Sequence, residues 1–156
     1  MNECILPDPS GFFEIRFESI GGLGAHAAGQ ILARAAVLKM NLNGSHFSSY
    51  GSEKKGSVIR SYMRLGAAEK PIRTSAPIDS PDVIVVFHGV LMKQDITIAG
   101  MKGTGTLIYN GAANEVPGIL EQVDYLVNWR QDETTPAIPS SIIKLNVDGK
   151  ISVIRP

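Results

Sequence analysis

The chain has 156 residues, and its fifteen Lys and Arg balance fifteen Asp and Glu, so the formal charge cancels. That balance argues against whole-surface attraction to nucleic acid or to an anionic membrane, and 44% apolar residues argue against a disordered chain. A single cysteine, Cys4, excludes an intrachain disulfide, a cysteine-held iron–sulfur cluster and a multi-cysteine zinc site. Any redox chemistry would therefore carry its electrons on another chain. With no basic-then-apolar leader and no 18-residue apolar run, the expected location is cytoplasmic.

Residues 1–12, with Pro7, Pro9 and Gly11, read as a lead-in, and 13–156 as a single α/β domain. Phe13, Ile15 and Phe17 alternate with Glu14, Arg16 and Glu18, the period-two pattern of a strand with one apolar face. Gly21, Gly22 and Gly24 then form a turn, and Ala25 to Lys39, rich in Ala and Leu and free of Pro, reads as a helix. Asn41 to Ser57 is polar and punctuated by glycine; Val58 to Leu65 follows as a strand that brings Arg60 and Arg64 to one face. Pro71, Pro77 and Pro81 mark a long connection. Val83 to Phe87 (VIVVF) has the continuous apolar character of a central parallel strand. A weaker helix over Val90 to Ala99 leads to strands at Thr106 to Tyr109 and Asp124 to Trp129. Ile142 to Val147 and Lys150 to Ile154 flank Asp148-Gly149, a hairpin signal. This order predicts a three-layer α/β/α sandwich with a mostly parallel sheet, a glycine-rich strand–loop–helix near its start and a C-terminal β-hairpin.

The strand–glycine–helix unit is the first candidate site, because it aims bare backbone amides and a helix N-terminus at one place, a seat for phosphate. Gly22, Gly24 and Ala27 fit the dinucleotide fingerprint, but no Asp or Glu lies between Glu18 and Glu53 to hold a ribose. The loop therefore reads either as a phosphate site or as a turn needed only for close packing. The second candidate is Phe47 to Gly56, where serines, Tyr50, Glu53, Lys54 and Lys55 stand among glycines. It reads as a phosphate clamp, a contact with another chain or a solvated loop. His26 lies in the glycine loop, and His88 closes VIVVF at the carboxyl end of a strand, where open α/β sheets border their ligands. The alternative for either histidine is a hydrogen-bonded structural role. His46 shares no metal-ligand spacing with them, and there is no nucleophile elbow, P-loop lysine or paired-carboxylate motif.

Taken in order, these blocks resemble the gamma subunit, or gamma domain, of the 2-oxoacid:ferredoxin oxidoreductases, the pyruvate synthase-like family. IRFESIGGLGAHAAGQILARAA is similar to the family's first strand, glycine loop and helix. FSSYGSEKKGSVIRSYMRL resembles its aromatic–Pro/Ser–Ser–aromatic–Gly–x–Glu–basic–basic–Gly block and the strand behind it, PIDSPDVIVVFH its Pro–Asp–Val strand, GMKGTGTLIYN its next glycine-led strand, and AIPSS the start of its closing Ile–Pro–Ala segment.

The resemblance implies a cytoplasmic, multi-subunit enzyme of anaerobic metabolism that oxidatively decarboxylates a 2-oxoacid such as pyruvate and releases an acyl-CoA. Thiamine diphosphate and iron–sulfur clusters would sit on partner subunits, one thiamine-binding and one ferredoxin-like, with ferredoxin the indirect acceptor, in a homo- and hetero-oligomer. This chain would have no catalytic residues or metal of its own and would share in holding coenzyme A. The residues carried over for that role are Gly21, Gly22, Gly24, Ala25 and His26 on one wall, and Ser49, Tyr50, Gly51, Glu53, Lys54, Lys55 and Gly56 on the other, with His88 added from its strand-end position. Two other readings stand beside it, a stand-alone module for coenzyme A or nucleotide phosphates and a purely structural interaction domain. The chain departs from the family's Gly–x–Gly–Gly–Gln–Gly loop at Leu23, Ala25 and His26, where a positive φ would strain a side chain by about 1–2 kcal/mol. It also ends in a hairpin where the family continues with helices.

Overall fold

A computed structural model describes residues 11–21, 24–50 and 57–110, and the strands Ile142–Leu145 and Ile151–Arg155. The chain divides into two compact units, 1–123 and 124–156.

The first unit is α/β, as expected. Its elements are β1 (Phe12–Ile20), α1 (Ala25–Met40), β2 (Leu42–Tyr50), β3 (Val58–Ala67), β4 (Val83–Val86) and β5 (Thr106–Tyr109). They form one sheet in the order β2-β3-β1-β4-β5. Strands β1, β4 and β5 are mutually parallel, whereas β3 runs antiparallel to both β1 and β2. The sheet is therefore mixed, not mostly parallel. The cause lies in the first part of the polar, glycine-punctuated stretch that follows α1. Leu42–Tyr50 there is β2, paired residue by residue with β3 from Leu42↔Ala67 to Tyr50↔Ile59. Asn, Gly and Ser are poor strand formers, but at a half-exposed edge the ladder with β3 outweighs that preference.

Helix α1 starts after Gly24, which has φ 92°, and stops at Asn41, left-handed at φ 54°, whose N–H bonds to the Ala36 oxygen. It buries Ala25, Gly29, Ala33 and Ala36. These small residues let the backbone settle onto Phe17 and Met63, with Ile15, Leu65, Val85 and Phe87 around them.

Among the described residues, no α-helix covers the opposite face. The expected helix over 90–99 is instead two short 3-10 helices, Gly89–Lys93 and Asp95–Thr97. These and the proline-rich connection lie over a face whose charged side chains read from sequence as the solvent side of a strand. There Arg16, Glu18 and Arg64 are buried. Arg16 donates to the main-chain oxygens of Ile78, Thr97 and Ala99, Arg64 to those of Ala76 and Pro77, and Arg60 to that of Ile96. Irregular chain has carbonyls that no helix satisfies, and guanidinium groups have the donors to satisfy them.

The second unit holds an antiparallel pair, β6 (Ile142–Leu145) and β7 (Ile151–Arg155), as the hairpin signal predicts. The turn at Asp148-Gly149 and the strand expected at 124–129 lie outside the described residues.

Candidate functional site

The glycine turn joins β1 to α1 at the carboxyl end of the sheet's central strand. The Gly21 N–H donates to the Ser57 oxygen at 3.0 Å, which fastens the turn to the start of β3. Gly24 supplies the turn's positive φ, and its carbonyl accepts the first helical bond, from the Ala28 N–H at 2.9 Å. Ala25 and His26 are the first two residues of α1, and neither has a positive φ. The strain expected from a side chain at those two places is therefore absent. Gly22 and Leu23 lie outside the described residues.

The side chains at this turn point in different directions. Ala25 is 3% exposed and its side chain packs into the core. His26 is exposed, and its Nδ1 lies 2.9 Å from Ser48 Oγ, which in turn lies 2.6 Å from Ser61 Oγ. This chain of polar atoms ties the start of α1 to β2 and β3. Tyr50, two residues beyond Ser48 and so on the same face, is exposed, as is Ser49, which alternation turns to the other face. Gly51, Glu53, Lys54, Lys55 and Gly56 lie outside the described residues. Neither α1 nor β2 contains a carboxylate, so this edge offers hydroxyls, imidazoles and helix amides to an anion.

The His26 and His46 rings stand 4.9 Å apart, tilted by 51°. His46 lies across Gly29 of α1, where even a methyl group would collide with its ring. Burial lowers its pKa, and the neighbouring His26 adds to that effect. The Ser48–Ser61 pair and the place of His46 carry no signal in the sequence, because both depend on β2 being a strand.

His88 joins a different group. It continues the extended line of β4, with φ −141°. Phe87 packs with Phe17 and Ala25, while Val86 packs with Leu91. Alternation therefore sends His88 to the face away from α1. Its Nε2 is buried without a hydrogen-bond partner. On that face, Arg60 Nε meets both oxygens of Glu18 at 3.0 and 3.1 Å. Arg16 Nε is 2.9 Å from the same carboxylate, an ion contact outside hydrogen-bond geometry. Desolvation raises the Glu18 pKa above its ordinary value despite both arginines. A signal for this cluster was present: Glu14 and Glu18 on one strand match the spacing of Arg64 and Arg60 on the next. Among the described residues, no three potential metal ligands come together.

The chain belongs to the pyruvate ferredoxin/flavodoxin oxidoreductase family, whose sequence model matches residues 14–148. It is 34% identical over 105 residues to pyruvate synthase subunit PorC of Thermotoga maritima, covering 67% of this chain and 53% of that one. It is 38% identical over 97 residues to the common gamma subunit of the pyruvate/ketoisovalerate oxidoreductases of Pyrococcus abyssi, covering 62% and 51%. The crystal structure of the Thermotoga maritima PorC subunit superposes with a TM-score of 0.55 at 31% identity, over 65% of this chain and 51% of that one. The chain spans about half the length of the curated relatives it matches.

Proposed function

We propose that the chain is a gamma-type subunit of a cytoplasmic 2-oxoacid:ferredoxin oxidoreductase. It has no catalytic centre of its own; it supports coenzyme A binding and holds the complex together. The observation that carries this reading is the His26–Ser48 contact at 2.9 Å, which joins the glycine turn to the strand leading into the Lys54-Lys55 block. Two segments that the family's pattern pairs are thereby tied at one sheet edge. Coenzyme A brings a pyrophosphate and a 3′-phosphate to such an edge. Helix amides at Gly24 to His26, the Ser48 and Tyr50 hydroxyls and the two lysines are the groups to receive them. A bound coenzyme A would supply the thiol that accepts the acyl group; thiamine diphosphate and the clusters belong to partner subunits. Among the described residues, no helix is long and apolar enough to cross a membrane.

Calorimetry of the assembled complex with coenzyme A, ADP and NADP tests the reading. Coenzyme A should bind, and the double substitution Lys54→Glu, Lys55→Glu should weaken it about tenfold or more. No heat from any of the three would leave a scaffold. A chain that binds coenzyme A yet elutes alone from its native host would be a stand-alone module.

A further inference from the structure

Ser61 is wholly buried inside the sheet, yet its side chain ends in a hydroxyl. In the strand register it lies between Phe17 of β1 and Ser48 of β2. Among the described residues its one side-chain hydrogen-bond partner is Ser48 Oγ, at 2.6 Å. Ser48 Oγ meets one further group, His26 Nδ1, at 2.9 Å. Side chains from β3, β2 and α1 thus form a line that begins in the interior and ends on an exposed ring.

The buried end gives this line a direction. A hydroxyl has one hydrogen to donate and lone pairs with which to accept. Ser61 is shut off from water, so its hydrogen has one acceptor within reach, the Ser48 oxygen. Were Ser48 to donate inward, the Ser61 hydrogen would be buried without a partner, at the cost of a desolvated donor. Ser61 therefore donates to Ser48, and Ser48 donates outward to His26 Nδ1. In a neutral imidazole, an Nδ1 that accepts leaves the hydrogen on Nε2.

We infer that Ser61 is a positioning residue: through Ser48 it fixes His26 as the Nε2–H tautomer, so that the ring offers a hydrogen-bond donor to a phosphate oxygen of coenzyme A. The inference rests on the function proposed above. With the hydrogen on Nδ1, Nε2 would hold a lone pair and could not donate to an anion. His46 does not replace that donor, because its own Nε2 is buried beside Gly29. No carboxylate on α1, β2 or β3 competes for the Nε2 hydrogen.

Nitrogen-15 NMR of the ring resonances tests the tautomer in the full chain, at about pH 9, above the ordinary histidine range. His46→Gln and His88→Gln variants assign the three rings. The parent should show His26 as the Nε2–H tautomer. Ser61→Ala and Ser48→Ala should each move its Nδ1 resonance toward that of an unrestrained imidazole, and Ser61→Thr, which returns the hydroxyl, should restore it. A merely structural Ser61 would lower stability without moving the tautomer. Ser48 is only half-buried, so its variant carries the test if Ser61→Ala fails to fold. In calorimetry of the assembled complex, Ser61→Ala, or Ser48→Ala in its place, should weaken coenzyme A binding about threefold to tenfold, with Ser61→Thr close to the parent. An Nδ1–H tautomer in the parent overturns the inference, as does an unmoved tautomer in the alanine variants. If the parent and alanine complexes bind coenzyme A equally well, this inference falls and the function stands. If the parent complex binds no coenzyme A, both fall.

Discussion

Arg16 Nη2 donates to the main-chain oxygen of Thr97 at 2.9 Å, so a strand side chain holds down the 3-10 segment that covers this face of the sheet. The same guanidinium reaches Ala99 at 2.8 Å and Ile78 at 3.4 Å. Arg16→Met keeps much of the volume but leaves these carbonyls short of a donor and the buried Glu18 carboxylate with one neighbouring cation fewer. The expected loss is about 3–5 kcal/mol in denaturant unfolding. Faster amide exchange should be confined first to the 76–99 segment. Arg16→Lys should recover only part of the loss, since one ammonium cannot span three carbonyls.

Gly29→Ala reverses an ordinary expectation. Alanine within a helix is normally worth about 1 kcal/mol over glycine. Here the added methyl meets the His46 ring, and the variant should lose about 1–3 kcal/mol by overpacking. Gly29→Ala combined with His46→Ala should restore most of that loss. A stabilised single variant would show that His46 does not rest on Gly29.

His46 should make stability depend on pH. Its folded pKa lies below the ordinary value because burial disfavours the charged ring, with His26 adding repulsion. The unfolded chain therefore takes up the proton first. The contribution is complete above an unfolded pKa of about 6.5 and is lost as pH falls through the lower, folded value. Chemical unfolding between pH 8 and 5 should show this decline, and His46→Gln should flatten it.

Gly24→Ala tests the turn in isolation. A Cβ there meets nothing within 4 Å, and the only obstacle is φ of 92°. The expected cost is about 1–2 kcal/mol, all of it backbone strain. Thermal unfolding should also show that Gly24→Asn costs less, because asparagine tolerates the left-handed region better.

Some of the candidate site was legible before the fold was known. The glycine turn, the Ala25 start of α1 and the strand-end position of His88 follow from local pattern, and all hold in the structure. Ser48 and His46 did not stand out, because a run of Asn, Gly and Ser has no strand signature until a neighbour supplies the hydrogen bonds. His88 also parts from His26, since one residue of alternation decides which face of the sheet it occupies.

By itself the sequence determined the α/β class, the boundaries of β3, β5 and α1 to within a residue or two, the C-terminal β-strand pair and the family. These depend on local periodicity, on glycine and proline, and on ordered motifs. Only the tertiary structure decided that β2 is an edge strand, that the sheet is mixed, and that Glu14, Arg16, Glu18, Arg60 and Arg64 form a covered ionic face. The reason is physical: alternation says that two faces differ, but not what will lie over each. A charged face reads as solvent until distant carbonyls, such as those of Ile78 and Thr97, are folded onto it.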